Sequence, residues 1–342
     1  MSTLLALTLT SFALNTHALE IYGHRGARGL SPENTIPAYN TALRLGVNYV
    51  DMDITMTKDG VLVVSHDLTL NPNITRNHKG LWIPAKKPPF INTLTLKQVQ
   101  SYDVGAIKPG TNYSKLFSEQ YPVAHTQIPT LKHVIEYVKA IAGDQVGFQI
   151  EIKTDPAQRN ASATPKQFAT ALAKLLKEEK ITNRTEVQAF DWPCLIALQK
   201  INPNIKTAYL TEDDSRAQMM SDNPKIAGLW TGGYLLKNYD NSIPKMIHAL
   251  GGKLWDPEDR ELTQQSLQQA HKLGLKVVVW SDPVATGKAF DAKMMEKMIS
   301  WGVDGIITDR PDELRGLIAA RGFNLPSNFS INSKSPHKAT QA

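Results

Sequence analysis

Two short segments, Asp51-Met52-Asp53 and Glu151-Ile152-Lys153, carry the most concentrated chemistry of the chain. Each ends an apolar run of strand character. Alternation along a strand puts Asp51 and Asp53 on one face with Met52 on the other, and Glu151 and Lys153 repeat the arrangement. Three carboxylates brought together cannot all stay ionised without a counter-charge. A hard divalent cation with oxygen ligands, Ca2+ or Mg2+, is the natural one. His24-Arg25-Gly26 and Ser65-His66-Asp67 end two further strand candidates. An imidazole with an ordinary pKa of about 6.5 exists in both proton states near neutrality, so His24 and His66 can serve as general base and general acid. Arg25 offers a planar fork for phosphate oxygens and Lys153 a point charge. Taken singly, each of these residues has a plainer role, as a loop-entrance ion pair or a turn histidine. They amount to a catalytic set only if the fold gathers them.

From Leu19 onward, short β-rich segments alternate with helical ones, the pattern of parallel βα units. The predicted strands are Glu20–Gly23, Tyr49–Ile54, Val61–Ser65, Phe148–Lys153, Glu186–Phe190, Thr207–Leu210, Lys253–Trp255, Lys276–Trp280 and Gly305–Thr308. Helical periodicity covers Asn34–Leu45, Pro165–Glu179, Trp192–Lys200, Ser242–Leu250, Thr263–Leu273 and Asp312–Ala320. An α/β fold follows, a TIM (β/α)8 barrel whose inward-facing residues at the C-terminal strand ends share one mouth. The strand set exceeds eight by one. Asp59-Gly60 leaves no room for a crossover helix before Val61, so one member is a hairpin arm or accessory strand, and spacing does not single it out. The stretch from about 68 to 130 is rich in Pro, Asn and Lys and breaks the rhythm. It is too long for a plain loop and reads as an inserted cap subdomain at one end of the barrel.

With 42% hydrophobic and 20% charged residues, the composition is that of a globular protein. A net charge of +6 favours phosphate-bearing or acidic partners. Nucleic acid is not indicated, because the basic residues look scattered along the chain. One cysteine, Cys194, excludes a disulfide framework and a cysteine zinc site. Leu4–Leu14 followed by Thr16-His17-Ala18 reads as a signal peptide over 1–18, which predicts a periplasmic or secreted protein with the barrel over 19–322. The polar stretch 323–342 reads as a disordered tail. No run is long enough for a transmembrane segment.

The ordered series His24-Arg25-Gly26-Ala27, Ser31-Pro32-Glu33-Asn34-Thr35, Asp51-Met52-Asp53, Thr57-Lys58-Asp59-Gly60, Val64-Ser65-His66-Asp67, Glu151-Ile152-Lys153, Val278-Val279-Trp280 and Gly305-Ile306-Ile307-Thr308-Asp309 resembles the glycerophosphodiester phosphodiesterase family. The resemblance spans about Leu19 to Arg321. It is most specific from His24 to Asp67. It implies a TIM barrel with an inserted cap and a metal-dependent hydrolysis of deacylated phospholipids to sn-glycerol 3-phosphate and an alcohol. It further implies that His24 and His66 are the acid/base pair, and that Arg25 and Lys153 bind phosphate. Asp51, Asp53 and Glu151 would hold one divalent cation, and Trp280 would line the substrate pocket. Glu33, opening the helix after Pro32, is expected beside the metal and the histidines. The chain departs from the family at Asp51, where a longer glutamate is usual. A lysophospholipase D-like phosphodiesterase would share the site but need an apolar groove, which the mostly polar 68–130 stretch does not suggest. A surface-binding protein on the same barrel is the other alternative. Head-group preference and oligomeric state are not legible.

Overall fold

The computed structural model describes residues 19–212, 221 and 223–330. Among them nine strands succeed one another: β1 (Glu20–Gly23), β2 (Tyr49–Met56), β3 (Leu62–Val64), β4 (Gly147–Ile152), β5 (Thr185–Ala189), β6 (Lys206–Thr211), β7 (Leu254–Pro257), β8 (Lys276–Val279) and β9 (Gly305–Thr308). All but β3 run parallel in the order β1-β9-β8-β7-β6-β5-β4-β2, and a β1–β2 pairing closes the barrel. The surplus strand is β3. It returns antiparallel along β2, with Ile54 opposite Val64 and Met56 opposite Leu62. Asp59-Gly60 supports that reversal because Gly60 adopts a φ of +79°, a region glycine enters without steric cost.

A helix follows each barrel strand or, after β2, the hairpin and insertion, in the (β/α)8 manner. Thr35 caps Ile36–Leu45 by accepting from the Ala38 amide, and Thr164 and Gln167 form a capping box on Pro165–Glu178. Two helices of ten residues or more lie outside the sequence assignment, Leu131–Ala142 and Ala292–Trp301, as do four of four or five residues. The first buries Leu131, Val134, Ile135, Val138 and Ala142, the spacing of a helical stripe. Outward strand residues such as Met52, Ile150 and Val187 share one core with helix residues such as Leu43, Val138 and Leu172, all fully buried. Each large aliphatic side chain so buried stabilises the fold by about 1.5–3 kcal/mol.

Inside the barrel, Tyr22, Ala208, Leu254, Val278 and Ile307 form a second apolar cluster. Toward the N-terminal strand ends, Lys276 pairs with Glu20 and, at 3.0 Å, with Glu186, and Tyr22 stacks on Tyr49 at 4.5 Å. That end is plugged, so the opposite mouth holds the accessible chemistry.

Residues 68–130 leave β3 and build a small core of their own around Leu70, Ile83, Ile91, Val99, Val104 and Ile128, to which Val63 of β3 contributes. The segment touches the barrel loops where Gln120 Nε2 donates to the Arg28 carbonyl at 2.8 Å and the Tyr121 amide to that of Leu30 at 3.0 Å. The expected leader, residues 1–18, lies outside the described residues, as does 331–342 of the expected tail. The first part of that tail is ordered, contrary to expectation. Phe323 and Phe329 pack against the core, and the Phe329 amide donates to the Leu43 carbonyl at 2.9 Å. Arg315 Nη1 also donates to the Pro326 carbonyl at 2.8 Å.

Candidate active site

β1 delivers His24 and Arg25 to the mouth through a tight turn. Arg25 takes a φ of +50° and Gly26 one of +87°, and a Cβ on Gly26 would stand 2.7 Å from the Ala38 backbone. Glycine is therefore required there, while Arg25 carries local strain of the kind found at functional sites. His24 Nδ1 lies 2.7 Å from Asp309 Oδ1, just beyond β9. Asp309 in turn accepts from Arg28 Nε and Nη2, each at 2.8 Å, and the Arg28 guanidinium stacks over Phe117 at 4.3 Å.

On β2, Asp51 and Asp53 face inward, and the parallel register sets Asp53 beside Glu151 of β4. All three are buried. Arg25 Nε is 3.3 Å from Asp53, and its Nη1 donates to Glu33 at 2.8 Å. Lys153 Nζ stands 2.5 Å from Glu151, 3.9 Å from Asp53 and 3.1 Å from His66 Nε2, a cation already seated between two of the acids and one histidine. His66 reaches the mouth by an unexpected route. It follows the hairpin arm β3 instead of a barrel strand, and the Ser65 amide donates to the Asp53 carbonyl at 2.9 Å, which brings it back beside the acids. Its Nδ1 lies 2.7 Å from Asp67. The two histidines thus share a design, each with Nδ1 against a carboxylate.

Electrostatics follow from burial and crowding. Burial, with repulsion from Asp53 and Glu151, pushes the Asp51 carboxyl well up, and burial with repulsion from Asp53 raises Glu151 despite Lys153. Burial alone would raise Asp53 too, but Arg25, His66 and Lys153 hold it far below the carboxylate range. Burial lowers His24, only partly offset by Asp309, so the ring favours its neutral form. Four carboxylates, Glu33, Asp51, Asp53 and Glu151, face two cations, Arg25 and Lys153. With all four ionised the excess would be two negative charges, which a divalent cation would balance, and oxygen donors are what calcium or magnesium prefers. As they lie, no three acid, histidine or cysteine side chains among the described residues are grouped to grip an ion, since Arg25 and Lys153 hold the acids.

Glu33 lies before the helix, which begins at Ile36 with Thr35 as its cap, so it does not serve the first turn. It is buried, clamped between Arg25 and the Tyr113 hydroxyl that the 68–130 segment supplies. Trp280 borders the cavity edge-on to Phe190 at 5.4 Å, its Nε1 donating to the Asp256 carbonyl at 3.0 Å. The cavity, about 650 Å3, is bounded by His24, Arg25, His66, Glu151, Lys153 and Trp280 among others. Asp51 and Asp53 lie just below, where Gln188 donates to Asp51 at 2.7 Å and Asn34 to Asp53 at 2.8 Å. Sequence reasoning gave no role to Arg28, Asn34, Asp67, Tyr113 or Asp309. Asn34, Asp67 and Asp309 stand in the quoted motifs, and a motif does not say which member touches which. Arg28 and Tyr113 carry no sequence signal.

A model of the Glycerophosphoryl diester phosphodiesterase family matches residues 24–313. The chain is a member of that family. Its similarity to a glycerophosphodiester phosphodiesterase of Caldanaerobacter subterraneus subsp. tengcongensis is 29% identity over 304 residues, 88% of this chain and 98% of that protein. A glycerophosphodiester phosphodiesterase of Bacillus subtilis (strain 168) is 26% identical, with 84% of this chain and 83% of that protein covered. The crystal structure of a putative glycerophosphoryl diester phosphodiesterase from Silicibacter pomeroyi DSS-3 superposes with a TM-score of 0.76 at 27% identity, over 90% of this chain and 95% of that one. An Oleispira antarctica phosphodiesterase solved with its product sn-glycerol-3-phosphate shares the fold, with a TM-score of 0.62 at 18% identity over 88% and 97% of the two chains. Hydrolysis of glycerophosphodiesters is the activity of this family, and its members align over most of the chain. In this glycerophosphodiester phosphodiesterase no described helix is long and apolar enough to cross a membrane.

Proposed function

We propose that this enzyme is an exported, periplasmic or secreted, metal-dependent phosphodiesterase that releases sn-glycerol 3-phosphate and an alcohol from deacylated phospholipids by acid/base catalysis of His24 and His66. The observation that carries the reading is the pair of imidazoles, each locked through Nδ1 to a carboxylate at 2.7 Å, on one cavity with Arg25 and Lys153. An Nδ1–H held by a carboxylate directs Nε2 toward the cavity to exchange protons with a substrate, and Nε2 of His66, 3.1 Å from Lys153 Nζ, would do so once Lys153 turns to the phosphate. His24, buried and favouring its neutral form, is suited to accept a proton from the nucleophile, and His66 to protonate the leaving oxygen. Arg25 and Lys153 would bind the phosphoryl oxygens and oppose the negative charge that grows on them in the transition state. Glu33 and Tyr113 fix the Arg25 fork, and Trp280 offers an apolar wall to the glycerol carbons.

Asp51, Asp53 and Glu151 would hold one divalent cation, Ca2+ or Mg2+. When bound, it supplies Lewis-acid stabilisation of a phosphoryl oxygen. Aspartate at position 51 is a methylene shorter than the usual glutamate, and its Oδ1 accepts from Gln188 Nε2 at 2.7 Å. The test is turnover of glycerophosphocholine by wild type, His24→Ala and His66→Ala. The reading requires both variants to fold and to be slow. A folded variant of either position that turns over at the wild-type rate removes that histidine from the mechanism.

A further inference from the structure

The charge of the chain is not spread evenly over it. Residues 68–130 hold seven basic residues and two acids, a surplus of five out of the net +6, and no Asp or Glu occurs from 68 to 102. Arg76 is paired with Asp103 at 2.7 Å. Lys79, Lys86, Lys87, Lys97 and Lys115 are exposed, and no carboxylate partners them among the described residues. Sequence spacing hid this concentration because the lysines fall in ones and twos.

Within this segment a turn is built to project. The Asn77 amide donates to the Leu81 carbonyl at 2.9 Å, and Asn77 Oδ1 accepts from the Lys79 and Leu81 amides at 2.9 and 3.1 Å. Gly80 completes it at a φ of +74°. Ile83, buried in the segment's small core, anchors one side, and the Arg76 guanidinium lies 5.5 Å from the Trp82 ring. The tip is thus ordered before any partner arrives. It displays Leu81, 61% exposed, next to Lys79, with Lys86, Lys87 and the exposed Phe90 following. An exposed aliphatic side chain among unpaired lysines suits a surface that is anionic outside and apolar a few ångströms deeper. A polyanion would use the lysines and leave Leu81 in water.

We propose that the 77–90 segment docks the enzyme on anionic phospholipid bilayers. Leu68, Asn71 and Asn73 of the same insertion border the catalytic cavity, so docking would bring the mouth close to the lipid surface. Glycerophosphodiesters arise there, since removing both acyl chains of a phospholipid is the reaction that supplies them.

The test is co-sedimentation of the full chain with vesicles of phosphatidylcholine alone or of equal parts phosphatidylcholine and phosphatidylglycerol. The enzyme should bind the mixed vesicles, not the zwitterionic ones, and binding should fall as salt shortens the Debye length. Each lysine near an anionic surface contributes about fivefold, so Lys79→Gln, Lys86→Gln and Lys87→Gln combined should weaken binding by about 100-fold. Leu81→Ser should weaken it while leaving the salt dependence unchanged. Both variants should hydrolyse soluble glycerophosphocholine at the wild-type rate. No binding to mixed vesicles, or equal binding by the triple variant, overturns the proposal. So does retention on heparin that matches vesicle binding and ignores Leu81→Ser, which would mark a general anion surface. Loss of soluble-substrate turnover in either variant would assign the loop to the catalytic cavity instead.

Discussion

Substitutions at Asp309 should separate the charge that supports His24 from the contact that orients it. Asp309 Oδ1 accepts from both His24 Nδ1, at 2.7 Å, and Arg28 Nε, at 2.8 Å, while Oδ2 accepts from Arg28 Nη2 at 2.8 Å. In Asp309→Asn the amide oxygen keeps more partners at the Oδ1 position, so the His24 contact survives as a neutral hydrogen bond. The difference between a charged and a neutral acceptor is about 1–1.5 kcal/mol, or about tenfold in kcat. Asp309→Ala removes the acceptor, frees the ring and should cost at least the ~100-fold of a lost acid/base group. Both variants leave Arg28, 1% exposed, without its counter-charge, and breaking a buried pair destabilises by about 3–5 kcal/mol. Arg28→Met added to Asp309→Asn should recover much of that stability, because a neutral side chain then covers Phe117, without recovering the rate. Arg28 and His24 hold the Asp309 carboxyl far below the usual range against its burial. Its contribution to stability is therefore complete above the unfolded carboxyl pKa of about 4 and shrinks only as pH falls below that value. The assays are kcat on saturating glycerophosphocholine and urea unfolding from neutral to acid pH. A wild-type rate in Asp309→Ala, or a rate restored together with stability in the Arg28→Met double variant, would refute the orienting role.

Three further outcomes are expected. A substrate with a very good leaving group should partly rescue His66→Ala and leave His24→Ala slow, as rates under saturation would show; the opposite pattern would exchange their roles. Exhaustive chelation should abolish turnover and Ca2+ or Mg2+ restore it, whereas Asp53→Asn should resist restoration; full activity without metal would remove the cation site. Protein recovered from its native host should begin near Leu19 by N-terminal sequencing, and an intact Met1 would contradict export.

The barrel was legible because its signals are local. Strand segments such as Glu20–Gly23 and Gly305–Thr308 coincide with those read from the sequence, and helix ends follow Thr caps and glycines. Side-chain alternation was enough to direct Asp51 and Asp53 inward and to set Glu151 beside them. What escaped depends on contacts between distant segments. The pairing of His24 with Asp309 joins residues 285 positions apart, and Tyr113 reaches Glu33 across 80 positions from a segment with no regular period. The antiparallel return of β3, which carries His66 back to Asp53, was recognisable only as one strand too many. Phe323 and Phe329 show the converse error, since a polar composition concealed two rings that the barrel buries.

The central claim is that the glycerol-phosphate half is retained and the head-group alcohol leaves. Phosphorus NMR of glycerophosphocholine incubated with the metal-loaded enzyme tests it directly. The diester resonance should be replaced by that of sn-glycerol 3-phosphate, with choline released in equal amount. Phosphocholine as the phosphorus product, with free glycerol, would mean that the other ester bond breaks and would contradict the assignment even if both histidines and the metal proved essential.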